Sequence, residues 1–119
     1  MIKIGRLFKS FFYAWRGLFK IFKEEQNLRI QLVAAVLAAA AGFFLRISRI
    51  EWLALAIVIA MVILMEIVNS VVERVADVLK PRLDHYVKEI KDIAAAAVMV
   101  ASLTAAVVGA IIFYPYLFR

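Results

Sequence analysis

The first part of the chain places bulky apolar and basic side chains on opposite faces of a helix. Between residues 2 and 23 the apolar positions recur at intervals of three and four, which at 100° per residue brings them onto one face. That face holds Ile4, Leu7, Phe8, Phe11, Phe12, Trp15, Leu18, Phe19 and Phe22, and the opposite face holds Lys3, Arg6, Lys9, Arg16, Lys20 and Lys23. Such a helix suits the boundary between lipid and anionic headgroups. We predict an amphipathic interfacial helix over residues 1–25.

Three longer apolar segments follow, and each is predicted to form a membrane-spanning helix. The first covers about residues 29–45, which is just enough to cross the hydrocarbon of a bilayer. The second covers about residues 52–79, and the third covers about residues 92–118, with Tyr114 and Tyr116 as interfacial anchors. The pattern predicts an all-α membrane protein in which an N-terminal interfacial helix and three transmembrane helices form a single domain, residues 1–119.

The composition agrees with lipid as the main solvent of the chain. Hydrophobic residues make up 66% of the 119 residues and the mean hydropathy is +0.93, whereas soluble globular proteins contain roughly 45–50% apolar residues. The absence of cysteine excludes disulfides and thiolate metal sites, and the single histidine, His85, excludes a histidine-rich metal site. The net charge of +6 would suit nucleic acid. We expect no nucleic-acid partner, because the basic side chains back onto a lipid-seeking face.

The distribution of basic residues predicts the orientation of the chain. With the N-terminus in the cytoplasm, the cytoplasmic segments hold twelve Lys and Arg residues, seven up to Arg29 and five from Arg74 to Lys91. Three lie outside, namely Arg46, Arg49 and Arg119. Because basic residues concentrate in the cytoplasmic loops of membrane proteins, we expect a cytoplasmic N-terminus and an external C-terminus.

A stripe of polar residues interrupts the second predicted span. Glu66 follows fourteen uncharged residues, Trp52 to Met65, and a carboxylate at that depth normally faces protein or a water-filled cavity. At helical spacing one face carries the polar stripe Glu66, Asn69, Ser70, Glu73 and Asp77. One explanation is contact between helices, with the acids paired to Arg74 or Lys91. Two carboxylates and an amide on one face exceed what helix contact requires, which favours a functional site.

Glu25, Lys91 and Asp92 lie near the cytoplasmic interface with the polar stripe, and Tyr13 lies in the middle of the cationic face of the first helix. Each has an ordinary explanation when taken alone: Glu25 and Arg29 as an ion pair, Lys91 and Asp92 as a helix anchor, and Tyr13 as an interfacial tyrosine. Together with the polar stripe they suggest more. Carboxylates can hold Mg²⁺ beside phosphates, a lysine can neutralise phosphoryl oxygens, and a tyrosine among basic residues can stack on a nucleotide base. These groups suit phosphoryl transfer to a lipid alcohol.

A second class of function stays open at this point. A small oligomeric pore, or a proton-coupled transporter whose Glu66 carries protons, would also place an acid inside the membrane. That alternative does not account for Tyr13 or for the Lys91-Asp92 pair. The four glycines, Gly5, Gly17, Gly42 and Gly109, are too far apart to form a Gly-rich phosphate loop. A kinase built on this chain would therefore hold phosphates with side chains and metal.

Four blocks of the chain are similar to a known family. Glu66-Ile67-Val68-Asn69-Ser70-Val71-Val72-Glu73-Arg74-Val75-Ala76-Asp77 resembles the ExxNSxxExxxD signature of the prokaryotic diacylglycerol kinase family. Lys91-Asp92 followed by small residues resembles its next block, and Tyr13-Ala14-Trp15-Arg16-Gly17-Leu18 and Glu25-Gln26-Asn27-Leu28-Arg29 resemble its earlier blocks. The resemblance covers nearly the whole chain in order and spacing.

The resemblance implies a homotrimeric kinase in the inner membrane of a prokaryote, with active sites shared between neighbouring protomers. It implies that the γ-phosphoryl group of MgATP passes to the hydroxyl of a lipid alcohol at the cytoplasmic interface. By position Glu66 matches the catalytic carboxylate, Glu25 and Glu73 match the acids that hold Mg²⁺, and the ATP contacts correspond to Arg6, Tyr13, Glu25, Asn69, Glu73, Lys91 and Asp92.

Two positions depart from the pattern of the diacylglycerol-type members. Those members often carry Glu where this chain has Gln31, and Ser where it has Ala95. The run Leu28-Arg29-Ile30-Gln31 looks more like the branch that phosphorylates undecaprenol. Diacylglycerol and undecaprenol therefore both stay open as acceptors.

Overall fold

The computed structural model describes residues 2–82 and 84–118 and contains only helices within those ranges. These are α1 (Ile4–Glu24), α2 (Gln26–Leu45), α3 (Arg49–Leu79) and α4 (Asp84–Leu117). Helices α2, α3 and α4 are long and apolar enough to cross a membrane, judged by length and composition. The predicted fold class, an all-α protein with three apolar spans after a first amphipathic helix, is confirmed.

Helix α1 leaves its aromatic face uncovered. None of its residues is buried, and Phe8 and Trp15 are 72% and 61% exposed. Exposing such a surface to water would be unfavourable. Large contiguous apolar patches on a protein mark sites of interaction with proteins or membranes. The bare aromatic face therefore agrees with the lipid contact predicted for α1.

A single residue joins α1 to α2. Glu25 is extended, with φ −106° and ψ 108°, and it is both the C-cap of α1 and the N-cap of α2. Its backbone N–H donates to the carbonyl of Ile21 at 2.8 Å. Because one residue makes the whole bend, which we call the elbow, α2 begins at Gln26 rather than near residue 29.

The connection between α2 and α3 is a tight turn followed by a capping box. Arg46 ends α2 in the left-handed region, at φ 55°. The Ser48 hydroxyl accepts from the backbone N–H of Glu51 at 3.2 Å, and the Glu51 carboxylate accepts from the backbone N–H of Ser48 at 2.8 Å. Helix α3 therefore starts at Arg49, three residues before the predicted 52. The Ser-x-x-Glu spacing is a known helix-start signal that could have located this boundary.

Helix α4 begins at Asp84, eight residues before the predicted 92. The predicted charged connection from Arg74 to Asp92 is largely helical, because α3 continues to Leu79 and, of the residues described there, only Lys80, Pro81 and Arg82 lie outside helices. Val87 is 3% exposed, so the first turns of α4 already belong to its packing against α3. Burial of Val87 leaves the charged positions of these turns solvated.

The apolar core lies at the end of the bundle opposite the elbow. Ile47, Leu55 and Ile112 form its buried cluster, with Trp52 packed against it. Gly42 permits this packing, since a β-carbon there would lie 2.9–3.2 Å from atoms of Ile47 and Trp52. The elbow end, where α2 and α4 begin and α3 ends, holds the polar residues instead.

Candidate functional site

Glu66 is buried beside a cavity between α2, α3 and α4. The residue is 6% exposed, and the cavity has a volume of about 320 Å³. The wall is polar on one side and apolar on the other, and consists of Asn27, Ile30, Gln31, Glu66, Asn69, Ala95, Val98 and Met99. The Gln31 side chain lies next to the Glu66 carboxylate and donates to Ser102 Oγ at 3.3 Å. A buried acid thus faces space that could admit a small polar group.

Sequence reasoning missed Asn27 and treated Gln31 only as a departure from a family pattern. The two are four residues apart at the start of α2, a spacing that puts them on one face of the helix. That spacing was the available signal. It could not indicate that this face meets Glu66, because the meeting depends on how α2 packs against α3.

One turn further along α3, Asn69 and Glu73 are paired. The Asn69 amide nitrogen donates to Glu73 Oε1 at 3.3 Å. Within the described residues, Asn69 Oδ1 is buried and accepts no hydrogen bond. Buried polar atoms are nearly always hydrogen-bonded in folded proteins. A donor supplied by a ligand or by water would satisfy this oxygen, which borders the same cavity as Glu66.

The Glu25 carboxylate points from the elbow to α3. Ser70 Oγ donates to Glu25 Oε1 at 3.0 Å, and Arg74 Nη2 lies 3.7 Å from the same oxygen. Arg74 Nη2 also donates to Glu24 Oε2 at 2.9 Å. Arg74 therefore pairs with Glu24 and Glu25 and not with an acid of the polar stripe, as the helix-contact explanation had it. The other pair of that explanation, between Lys91 and an acid of the polar stripe, is present with Asp77.

The alternative pair between Glu25 and Arg29 is absent from the described contacts. Arg29 Nη1 instead donates to the backbone carbonyls of Phe22 and Lys23, at 3.0 and 2.7 Å. These carbonyls end α1 and lack partners within the helix. Arg29 therefore closes the end of α1, which leaves the Glu25 side chain available to Ser70.

Lys91 and Asp92 border a second cavity at the elbow end. Lys91 Nζ lies 2.5 Å from Asp77 Oδ1, which links α4 to the last residue of the polar stripe. The cavity has a volume of about 280 Å³ and is lined by Lys80, Asp84, Val87, Lys88, Lys91 and Asp92. Several basic side chains around one opening can neutralise phosphoryl oxygens.

His85 is exposed and packs edge-on against Tyr86.

Arg6 and Tyr13 are exposed on α1, away from the elbow. At 1.5 Å per residue along the helix, their Cα atoms lie roughly 28 Å and 18 Å from that of Glu25. Tyr13 is 60% exposed and contacts the ring of Phe12. Within one chain, the described structure thus brings Glu25, Ser70 and Arg74 together, and separates Arg6 and Tyr13 from Glu25.

Glu25 of the elbow and Glu73 of α3 carry the kind of oxygen ligand that suits a hard cation shared with phosphate. Glu25 and Glu73 each use Oε1 in the bonds described above, which leaves Oε2 of each outside those bonds. Among the described residues no three acidic or histidine side chains form a complete metal cluster. Mg²⁺ is usually held by only one or two carboxylates together with substrate phosphates and water. The donor set therefore fits Mg²⁺ bound with a nucleotide.

Comparison with known proteins agrees with the resemblance. The model of the prokaryotic diacylglycerol kinase family matches residues 12–113. The undecaprenol kinase of Bacillus subtilis (strain 168) is 31% identical over 115 residues, 97% of this chain and 94% of that protein. The diacylglycerol kinase of Synechocystis sp. is 33% identical over 110 residues, 92% of this chain and 63% of that protein. The diacylglycerol kinase of Escherichia coli (strain K12) is 28% identical over 111 residues, 93% and 91% of the two chains.

These matches cover the elbow, the polar stripe and the Lys91-Asp92 block in one continuous alignment range. They also favour an enzyme over the non-catalytic pore or transporter. Three of its helices can cross a membrane, and its matches to lipid kinases extend along almost its full length. The chain therefore belongs to the prokaryotic diacylglycerol kinase family and is a membrane-embedded lipid kinase.

Proposed function

We propose that this kinase transfers the γ-phosphoryl group of MgATP to the hydroxyl of a membrane lipid alcohol, at the cytoplasmic interface of the inner membrane. The observation that carries this proposal is the buried Glu66 carboxylate on a cavity that is amide-lined on one side and apolar on the other. Such a cavity suits the end of a lipid whose chain lies in hydrocarbon and whose hydroxyl needs polar partners.

Glu66 is the catalytic residue in this mechanism. Its carboxylate accepts a hydrogen bond from the lipid hydroxyl and orients the oxygen in line with the γ-phosphorus atom. As the new oxygen–phosphorus bond forms and the bond to the ADP oxygen breaks, the hydroxyl proton passes to Glu66. Asn69 Oδ1, buried and without a partner in the described chain, would accept from a different donor, such as a water molecule bound with the substrate.

Glu25 and Glu73 would hold Mg²⁺ through carboxylate oxygens. The ion would supply positive charge to the phosphoryl oxygens when bound. The Ser70 hydroxyl orients Glu25 and the Asn69 amide orients Glu73, so each carboxylate has a fixed partner on α3. Such fixed partners orient metal ligands and raise metal affinity.

The ATP site is assigned to Arg6, Tyr13, Glu25, Asn69, Glu73, Lys91 and Asp92. Lys91 and Asp92 border the basic cavity at the elbow end, which suits phosphates in a chain without a Gly-rich loop. Arg6 and Tyr13 are far from Glu25 along α1, so they would complete the site of a neighbouring protomer. We accordingly propose a homotrimer of single-domain protomers, each with a cytoplasmic N-terminus and an external C-terminus.

The acceptor is diacylglycerol or undecaprenol, as in the named relatives. The test is phosphorylation of each lipid by the purified protein in mixed micelles, with radiolabelled ATP and with Mg²⁺ present or chelated. We expect Mg²⁺-dependent transfer of label to at least one of the two lipids. No transfer to either lipid, from a preparation that is folded and oligomeric, would contradict the proposal.

A further inference from the structure

We propose that Arg74 is a positioning residue for the cation site and that it acts on Glu25 through Ser70. The inference rests on the proposed role of Glu25 as a ligand of Mg²⁺. It assigns a function to a side chain that contacts neither phosphate nor lipid in the proposed mechanism. Three observations support it: the contacts of the Arg74 guanidinium, the burial of Ser70 and the extended backbone of Glu25.

Arg74 contacts both sides of the junction between the elbow and α3. Its Nε lies 3.4 Å from Ser70 Oγ, and its Nη2 lies 2.9 Å from Glu24 Oε2. The guanidinium is planar and presents its N–H groups in a fixed fork. One side chain can therefore hold Ser70 and Glu24 at a set distance from each other, with Glu25 between them.

The Ser70 hydroxyl has one hydrogen atom, and Arg74 determines where it points. A serine inside a helix can donate to the carbonyl four residues earlier, which for Ser70 belongs to Glu66. Arg74 Nε–H donates to Ser70 Oγ and so occupies a lone pair, while the hydroxyl donates to Glu25 Oε1 at 3.0 Å. Ser70 is 2% exposed, so water does not compete for these bonds.

Glu25 needs such an external support because its own backbone is not helical. It is the one extended residue between α1 and α2, and the elbow leaves its side chain without a helical neighbour to restrict it. The bond from Ser70 selects one carboxylate orientation with Oε2 outside the network. Arg74 and Glu24 are themselves about half exposed, with side-chain exposures of 43% and 49%. Their ion pair adds little stability, so the contribution of Arg74 is geometric.

Whether Arg74→Gln weakens or tightens metal binding distinguishes a positioning role of Arg74 from an effect of its charge alone. Arg74 is a cation 3.7 Å from a proposed metal ligand, and it therefore repels a divalent cation. If charge alone mattered, Arg74→Gln would tighten metal binding. If Arg74 positions Glu25, the same variant weakens it, by about tenfold or more as for other partners of metal ligands.

The test is a titration with Mn²⁺ as a spectroscopic substitute for Mg²⁺. Binding to the purified oligomer, with a non-hydrolysable ATP analogue and no lipid acceptor, is followed by electron paramagnetic resonance. We expect weaker Mn²⁺ binding in Arg74→Gln and also in Arg74→Lys, which keeps the charge but loses the fork. The control Lys23→Gln removes an exposed charge close to the elbow and should bind Mn²⁺ as tightly as wild type or slightly more tightly.

A double-mutant cycle tests the route through Ser70. Ser70→Ala should weaken Mn²⁺ binding as Arg74→Gln does. Combining the two should add less than about twofold, since Ser70→Ala removes the hydroxyl bond to Glu25 and Arg74→Gln releases the same hydroxyl from the orientation that makes that bond. Unchanged or tighter binding in Arg74→Gln and Arg74→Lys, or full additivity with Ser70→Ala, would overturn the inference. The binding assay needs no phosphoryl transfer, so failure of the proposed kinase reaction would be seen separately, as a wild-type protein that binds Mn²⁺ and phosphorylates neither lipid.

Discussion

Lys91 of α4 and Asp77 of α3 form an ion pair, with 2.5 Å between Nζ and Oδ1. The pair joins the two long helices at the elbow end, and its Lys91 lines the basic cavity. In the proposed ATP site, this ion pair would hold the Lys91 ammonium group beside the cavity before a phosphate binds. Phosphate would then compete with Asp77 for Lys91.

We predict that Lys91→Gln raises the KM for ATP by about 10–100-fold, the range expected for loss of a hydrogen bond to a charged group. The measurement is steady-state kinetics at saturating lipid. Lys23→Gln, which removes an exposed lysine outside the cavity, serves as the control and should leave the KM within about twofold. An unchanged KM in Lys91→Gln would remove Lys91 from the nucleotide site.

Loss of either proposed metal ligand should weaken the dependence on Mg²⁺ strongly. In Glu25→Gln and in Glu73→Gln an anionic oxygen is replaced by an amide, so we expect half-saturating Mg²⁺ to rise by about tenfold or more. The matched control is Glu89→Gln, an exposed acid on α4. Folding should survive in all three. If both ligand variants keep the wild-type Mg²⁺ dependence, the metal assignment is wrong.

The chain should be active only as an oligomer. Glu66 is buried within one chain, yet Arg6 and Tyr13 lie exposed on α1 and far from the elbow, so a complete site needs a second copy. We predict that inactive Tyr13→Ala and inactive Glu66→Gln chains regain activity when they are unfolded and reassembled together. Cross-linking and native mass measurement should give three chains per particle. An active monomer, or mixed chains without regained activity, would contradict shared sites.

The capping box should matter for stability and not for catalysis. Ser48→Ala removes the hydroxyl that accepts from the N–H of Glu51, and loss of an N-cap costs about 1 kcal/mol. We therefore expect a lower midpoint of thermal unfolding in detergent, with kcat unchanged. Thr104→Ala is the control, because the Thr104 hydroxyl donates to the Val100 carbonyl of its own helix and caps no helix start. Equal midpoints for wild type and Ser48→Ala would show that the capping box does not contribute to the stability of the protein.

Several features of the site follow from local sequence alone. The polar stripe could be predicted because the helical period decides which residues of α3 share a face. The interfacial character of α1 follows from the same period, and its uncovered aromatic face agrees with it. The start of α3 was also predictable in principle, from the spacing of Ser48 and Glu51, although apolar content suggested a later start.

Other features depend on packing between helices and could not be predicted. The sequence predicted Arg29 as the partner of Glu25, and only the position of α3 beside the elbow brings Ser70 to the Glu25 carboxylate instead. The cavity at Glu66 requires Asn27 and Gln31 to reach α3 from α2. The early start of α4 depends on the burial of Val87. In each case the sequence contains both residues but does not show that they lie side by side in the folded chain.

In the proposed reaction, Glu66 takes the proton of the lipid hydroxyl. This role is tested by measuring kcat at saturating lipid, together with the affinity for ATP, in Glu66→Gln. The amide keeps the shape and one acceptor oxygen but cannot take the proton, so we predict a fall in kcat of about 10²–10⁴-fold with ATP binding preserved. A kcat near that of wild type together with weakened ATP binding would contradict the claim and would assign Glu66 to the nucleotide site instead.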